Sequence, residues 1–116
     1  MPTFRPTAWS GPTLFIAGLV GREHDGSPCP ELDRQVTRTV ERLGEMLASE
    51  GLTPRDLVRV RVYLTDVSHW STLVLPRLAA LVDDVMPPAT VVGVAALVEP
   101  WMAVEIDAEA SRSPAA

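Results

Sequence analysis

Along residues 57–66 apolar and polar side chains alternate. Val58, Val60, Val62 and Leu64 interleave with Arg59, Arg61, Tyr63 and Thr65, the period of a strand with one core face and one polar face. Residues 101–110 alternate likewise, and a strand there puts Glu105, Asp107 and Glu109 on a single face. Residues 3–9 and 13–20 flank Ser10, Gly11 and Pro12 and read as a hairpin. The second of these strands is so apolar that burial on both faces is expected. Leu32, Val36, Val40, Leu43 and Leu47 recur at helical spacing, which predicts a helix over 31–50 stopped by Gly51. Thr53, Pro54 and Asp56 carry the pattern of one short capped turn. Pro76 interrupts a second helical stretch, so a loose turn around His69 and Trp70 is expected, then a helix from about Pro76 that Pro87 and Pro88 end. Two further strands, over 89–97 and 101–110, complete the order β-β-α-β-α-β-β. A single domain over 1–110 and a disordered tail over 111–116 follow from this reading.

Three carboxylates in a row on one strand face repel one another, and the arginine face of 58–65 is the natural neighbour for them. Each opposite-charge pair across two strands contributes about 0.2–1 kcal/mol. Pairing of this kind accounts for Asp107 and Glu109 and leaves Glu105 unassigned.

The 116 residues, 47% hydrophobic and 22% charged, suit one globular domain with its own core. A net charge of −5 argues against a nucleic-acid surface. The longest apolar run, residues 14–21, is too short to span a bilayer, and nothing at the N-terminus reads as a signal peptide, so a cytoplasmic location without membrane attachment is expected. Cys29 is the only cysteine and, with His24 and His69, shows no metal-ligand spacing, so neither disulfide nor metal is predicted. Cys29 reads as an inert thiol, and Met46, Met86 and Met102 as core filler.

"FIAG" with "GREHDG", then "ELDRQVTRTVERLGEMLASEGLTPRDLVRVRVYLTD", then "PPATVVGVAAL" and "VEIDAEA", in that order, resemble the Rid family, the reactive intermediate deaminases also called YjgF proteins. The resemblance runs over about residues 4–110. It implies an α+β fold similar to small chorismate mutases, a mixed β-sheet with two helices packed on one face. It also implies a homotrimer with ligand clefts between subunits, and hydrolysis of amino-acid enamines and imines to keto acids and ammonia without metal or cofactor. Position by position, Glu105 falls on the acid that places or activates water in the family, and Gly18 on a glycine whose N–H is available to a ligand oxygen. Elsewhere the chain departs from the pattern. Ala89 stands where the family has its carboxylate-clamping arginine, Ala17 where it has serine, Val74 where it has a helix asparagine and Phe4 where it has tyrosine. With Val91, Arg22 and Trp70, these residues make up the expected substrate-binding set. Arg22 and His24 are the nearest candidate substitute cations, although their loop reads first as an ordinary solvated turn; Trp70 reads as a packing residue before a stacking one.

Two functions stay open. In one, the protein is an enzyme that hydrolyses or isomerises a labile small molecule more apolar than an amino-acid imine, with Glu105 moving protons in an apolar cleft that raises its pKa. In the other, it is a trimeric small-molecule-binding or regulatory protein that kept the cleft and lost the chemistry, with Glu105 a paired interface residue.

Overall fold

The computed structural model describes residues 1–112. Five strands, β1 (Thr7–Ser10), β2 (Thr13–Leu19), β3 (Leu57–Leu64), β4 (Ala89–Gly93) and β5 (Val104–Ser111), form one mixed sheet in the order β1-β2-β5-β3-β4. Only the β3–β4 pair is parallel. Helices α1 (Leu32–Ser49) and α2 (Leu75–Leu81) supply the second layer. The element order is the expected one, but the last two strands are not neighbours. A parallel pair needs a crossover, and α2 provides it between β3 and β4, which leaves β5 to enter the gap between β2 and β3.

Alternation decides which side chains meet the helices. Val60, Val62 and Leu64 of β3 and Val104, Ile106, Ala108 and Ala110 of β5 are all buried, together with Leu14, Ile16 and Leu19 of β2 and the α1 stripe Val36, Val40, Leu43 and Leu47. Met102 is buried and Met46 and Met86 pack against this core. Burial of β2 on both faces is not found in the chain, because Phe15 on the opposite face is 45% exposed.

Val58 also departs from expectation. A bulge between Leu57 and Arg59 turns Val58 outward, 45% exposed, and Leu57 takes the core position in its place. Ahead of the bulge, the Pro54–Asp56 turn is closed as expected, with the Asp56 carboxylate accepting from the Thr53 N–H at 2.8 Å. The second helical stretch divides at Pro76 as expected: a wide π-helical turn, Trp70–Val74, precedes α2, which starts at Leu75 with Pro76 in its first turn, and the wider turn accommodates a residue that has no N–H and whose ring crowds the carbonyl four positions back. Ser111, expected in the tail, is the last residue of β5 opposite Thr13, and the Arg112 N–H donates to the Pro12 carbonyl at 2.8 Å. Residues 113–116 of that tail lie outside the described residues.

Gln35 ties the helix layer to the start of β5. It is 1% exposed, and its amide is fully used: Nε2 donates to the Cys29 and Trp101 carbonyls at 3.0 Å each, and Oε1 accepts from the Ala103 and Val104 N–H groups at 2.6 and 3.2 Å. Gly21 lies so close that a Cβ there would meet the Gln35 carbonyl at 2.5 Å. Gln35→Leu keeps the bulk but strands two donors and two acceptors in the core. A stranded buried group costs about 1–3 kcal/mol, so the variant is expected to melt at least about 10 °C below the parent. Thermal denaturation followed by circular dichroism checks this, and an unchanged Tm contradicts it.

Candidate functional site

The sheet face away from the helices carries the acids. β3 and β5 run antiparallel with Arg59 opposite Glu109, Arg61 opposite Asp107 and Tyr63 opposite Glu105. The Arg61 guanidinium forks between two of them, Nε donating to Asp107 at 3.0 Å and a terminal nitrogen to Glu109 at 3.1 Å. The expected pairing of Asp107 and Glu109 is therefore found. Tyr63, although it stands opposite Glu105, turns its hydroxyl to Asp107 at 3.0 Å. That bond, together with burial and the Asp107 charge, pushes the Tyr63 phenol up, and the two carboxylates hold the Arg61 proton more tightly than usual.

Glu105 is left over. Among the described residues its carboxylate accepts no side-chain hydrogen bond and has no ion-pair partner. Half-burial, and after it the Asp107 charge, raise its pKa above the ordinary 4.5. One same-face position along β5, opposite Asp107, β2 slips register between Ile16, opposite Ala108, and Leu19, opposite Ile106. Ala17 and Gly18 fill the slip, exposed, and Gly18 at φ +69 takes the left-handed conformation that a side chain would strain. So the fold gathers Glu105, Ala17, Gly18 and Tyr63 on one patch. Tyr63 was not among the sequence candidates; its place in an alternating strand opposite the acidic one was the signal.

The other candidates lie elsewhere. Val74 is 0% exposed and packs in the core; the position the resemblance gives to an asparagine is here a packing position. Trp70 is half-buried against that core. Phe4 is exposed in the coil ahead of β1. Ala89 and Val91 pair with Val60 and Val62 on the far side of β3, so their side chains share the helix-side face and not the face of Glu105. Arg22 is engaged: it pairs with Glu99 at 2.7 Å, donates to the Gly26 carbonyl at 3.1 Å and lies 5.0 Å over the Trp101 ring. His24 meets Glu45 at 3.0 Å. Cys29 is buried, its thiol pushed up by burial. Among the described residues no cluster of three His, Cys, Asp or Glu side chains could hold a metal, and no helix is long and apolar enough to cross a membrane.

One concavity adjoins the patch. The β3–β5 ladder continues through the Thr65 N–H donating to the Ala103 carbonyl at 3.2 Å, so Thr65 and Ala103 stand one register step beyond Tyr63 and Glu105. Both line a cavity of about 280 Å³ whose other walls include Leu97, Glu99, Pro100 and Trp101.

A mixed five-stranded sheet of this topology with two helices packed on one face defines an α+β fold class. The chain belongs to the Rid/YjgF family: the family model described as endoribonuclease L-PSP matches residues 4–112. It is 39% identical over 57 residues to the RutC family protein YjgH of Escherichia coli, a match that takes in 49% of this chain and 44% of that protein. The chain thus spans less than half the length of that curated relative. The crystal structure of a YjgF-family protein from Mycobacterium tuberculosis superposes with a TM-score of 0.79 at 29% identity, over 94% of this chain and 86% of the other. RidA from an Antarctic Psychrobacter shares the fold at a TM-score of 0.86, 23% identity and coverage of 96% and 89%.

The raised pKa of Glu105 gives a stability test. Folding favours its neutral form, so the stability tied to it is present below about pH 4.5 and is lost as pH rises through its higher native value. Glu105→Gln, which cannot charge, is expected to melt above the parent at about pH 7.5 and level with it at about pH 4. Equal melting differences at the two pH values contradict the assignment.

Proposed function

We propose that the protein is an acid/base catalyst of the Rid type, hydrolysing the C=N bond of a labile small molecule more apolar than an amino-acid imine. The observation that carries this reading is Glu105, the one acid of the outer face without a basic partner, held toward its protonated form beside an exposed bulge. In the reaction, the Glu105 carboxylate takes a proton from water as the oxygen bonds to the imine carbon and the C=N π electrons move to nitrogen. The protonated Glu105 returns that proton to nitrogen to give a carbinolamine; the carboxylate then takes the carbinol O–H proton and passes it to nitrogen as the C=O bond forms and the C–N bond breaks, so that ammonia leaves and a carbonyl compound remains. In this reading the Gly18 N–H, at the bulge, steadies the developing oxygen.

The reading includes a homotrimer. Ala89 and Glu105 lie on opposite faces and are separated by β3, so a ligand reaching both positions has to be met by a second copy of the chain. The exposed Phe15 on the outer face supports burial there, although the ion-paired centre makes that face less continuously apolar than the sequence implies. The family description names an endoribonuclease; a net charge of −5 and an outer face built around three acids disfavour an RNA substrate.

Two outcomes test the proposal. Imines generated in situ should decay faster with the protein, and Glu105→Gln should lower kcat by about two orders of magnitude or more. No acceleration of any imine, or a tightly held metabolite recovered unchanged, favours the binding-protein alternative. Sedimentation should give about three times the 12.6 kDa chain mass, and a stable monomer contradicts the shared cleft.

A further inference from the structure

The ten basic residues of the chain are all arginines; there is no lysine. In a homo-oligomer every fixed cation available to a ligand is therefore one of these ten. Among the described residues five are held in ion pairs: Arg22 with Glu99, Arg34 with Glu23, Arg38 with Glu41 and Glu45, Arg61 with Asp107 and Glu109, and Arg77 with Asp33. Arg42 donates to the Val20 carbonyl, and Arg112 lies over the Trp9 ring. Arg55 and Arg59 sit at the far end of β3, Arg59 opposite Glu109 and roughly 13 Å along the strand from Tyr63. Arg5 comes nearer, since the next residue, Pro6, accepts from the Ala17 N–H at 3.1 Å. Its side chain is exposed, and no hydrogen bond holds its fork toward Glu105.

The patch and its cavity are therefore short of positive charge and supplied with negative. Glu105 stands unpaired on the face beside an Asp107 that Arg61 already neutralises, Glu99 lines the cavity, and the Arg22 guanidinium is neutralised by that same Glu99. The remaining cavity wall mixes the apolar side chains of Leu97, Pro100 and Trp101 with polar surface. Within one protomer a substrate carboxylate placed here meets the Glu105 charge and no free guanidinium fork, whereas a protonated imine meets an unpaired carboxylate.

From this we infer the substrate class, resting on the C=N hydrolysis proposed above: a carboxylate-free iminium cation with a small apolar substituent, R–CH=NH2+, converted with one water to R–CHO and ammonium. The apolar group R occupies the cavity between Leu97 and Trp101, and the iminium faces Glu105. The reaction that supplies such a substrate is the two-electron oxidation of a primary amine to its imine by an amine-oxidising enzyme, whose own oxidant takes the electrons. Oxidation or dehydration of an amino acid leaves the carboxylate in place and yields a substrate this site disfavours.

The test uses a matched pair with the same carbon chain: the imine formed from 1-aminobutane by an amine oxidase and the imine formed from 2-aminopentanoate by an amino-acid oxidase. Hydrolysis of each is read by competition with semicarbazide trapping. The full-length protein is expected to favour the carboxylate-free imine by at least about tenfold in kcat/KM. Glu99→Gln, which frees Arg22 beside the cavity, is expected to narrow that preference severalfold, and an unchanged preference overturns the placement of the ligand in this cavity. Faster hydrolysis of the carboxylate-bearing imine overturns the substrate class while leaving C=N hydrolysis standing; if Arg5→Ala abolishes that activity, Arg5 is the clamp. Acceleration of neither imine overturns the hydrolysis and the substrate class together.

Discussion

The register of β3 against β5 is the constraint on which the site depends. With Val62 opposite Ile106 and Val60 opposite Ala108 in the core, Arg61 necessarily faces Asp107, and Tyr63 faces Glu105, on the other side of the sheet. A slip of one residue would carry three acids into the apolar layer, so the core enforces the arrangement of the polar face. Given that register, one guanidinium reaches two carboxylates and one phenol goes to the nearer of them. Arg59 stands opposite Glu109, yet Arg61 reaches Glu109 as well as Asp107 and the Tyr63 hydroxyl turns to Asp107, so Glu105 at the end of the row receives no donor. Its unpaired state follows from where the Arg61 fork and the Tyr63 hydroxyl are directed.

A second constraint holds the neighbouring loop. The Gln35 amide reaches from α1 to the carbonyls of Cys29 and Trp101 and to the N–H groups of Ala103 and Val104, which fixes where β5 begins. Trp101 carries Arg22 on its ring, and Glu99 completes that pair, so the cavity wall beside Glu105 is anchored to the core through one buried side chain.

Much of this was legible because alternation is a local property. The pairing of Asp107 and Glu109 with an arginine on β3 follows from two strands of period two with opposite charge on their polar faces. Leu57 and Val58 were exchanged because a bulge shifts the phase by one residue, and two adjacent apolar side chains give no sign of which turns inward. Val74 was taken for a pocket residue by transfer from a resemblance, yet its own pattern with Leu78 is that of a core stripe. Gln35 was missed because a polar residue in a helix reads as solvated, and its four partners lie between 6 and 69 residues away in sequence. The face of Ala89 depends on strand order, which places β5 rather than β4 beside β2, and single-sequence periodicity carries no strand order.

The central claim is that Glu105 alone among the acids of this face is unpaired and held toward its protonated form. Titration of the Glu105 side-chain carboxyl by 13C NMR measures this directly in the intact protein. The account predicts a midpoint clearly above the ordinary glutamate value of 4.5, moving down toward it when Asp107→Asn removes the neighbouring charge. A midpoint at or below 4.5 in the parent would mean that Glu105 has a cationic partner after all, and would contradict both the reading of the face and the chemistry built on it.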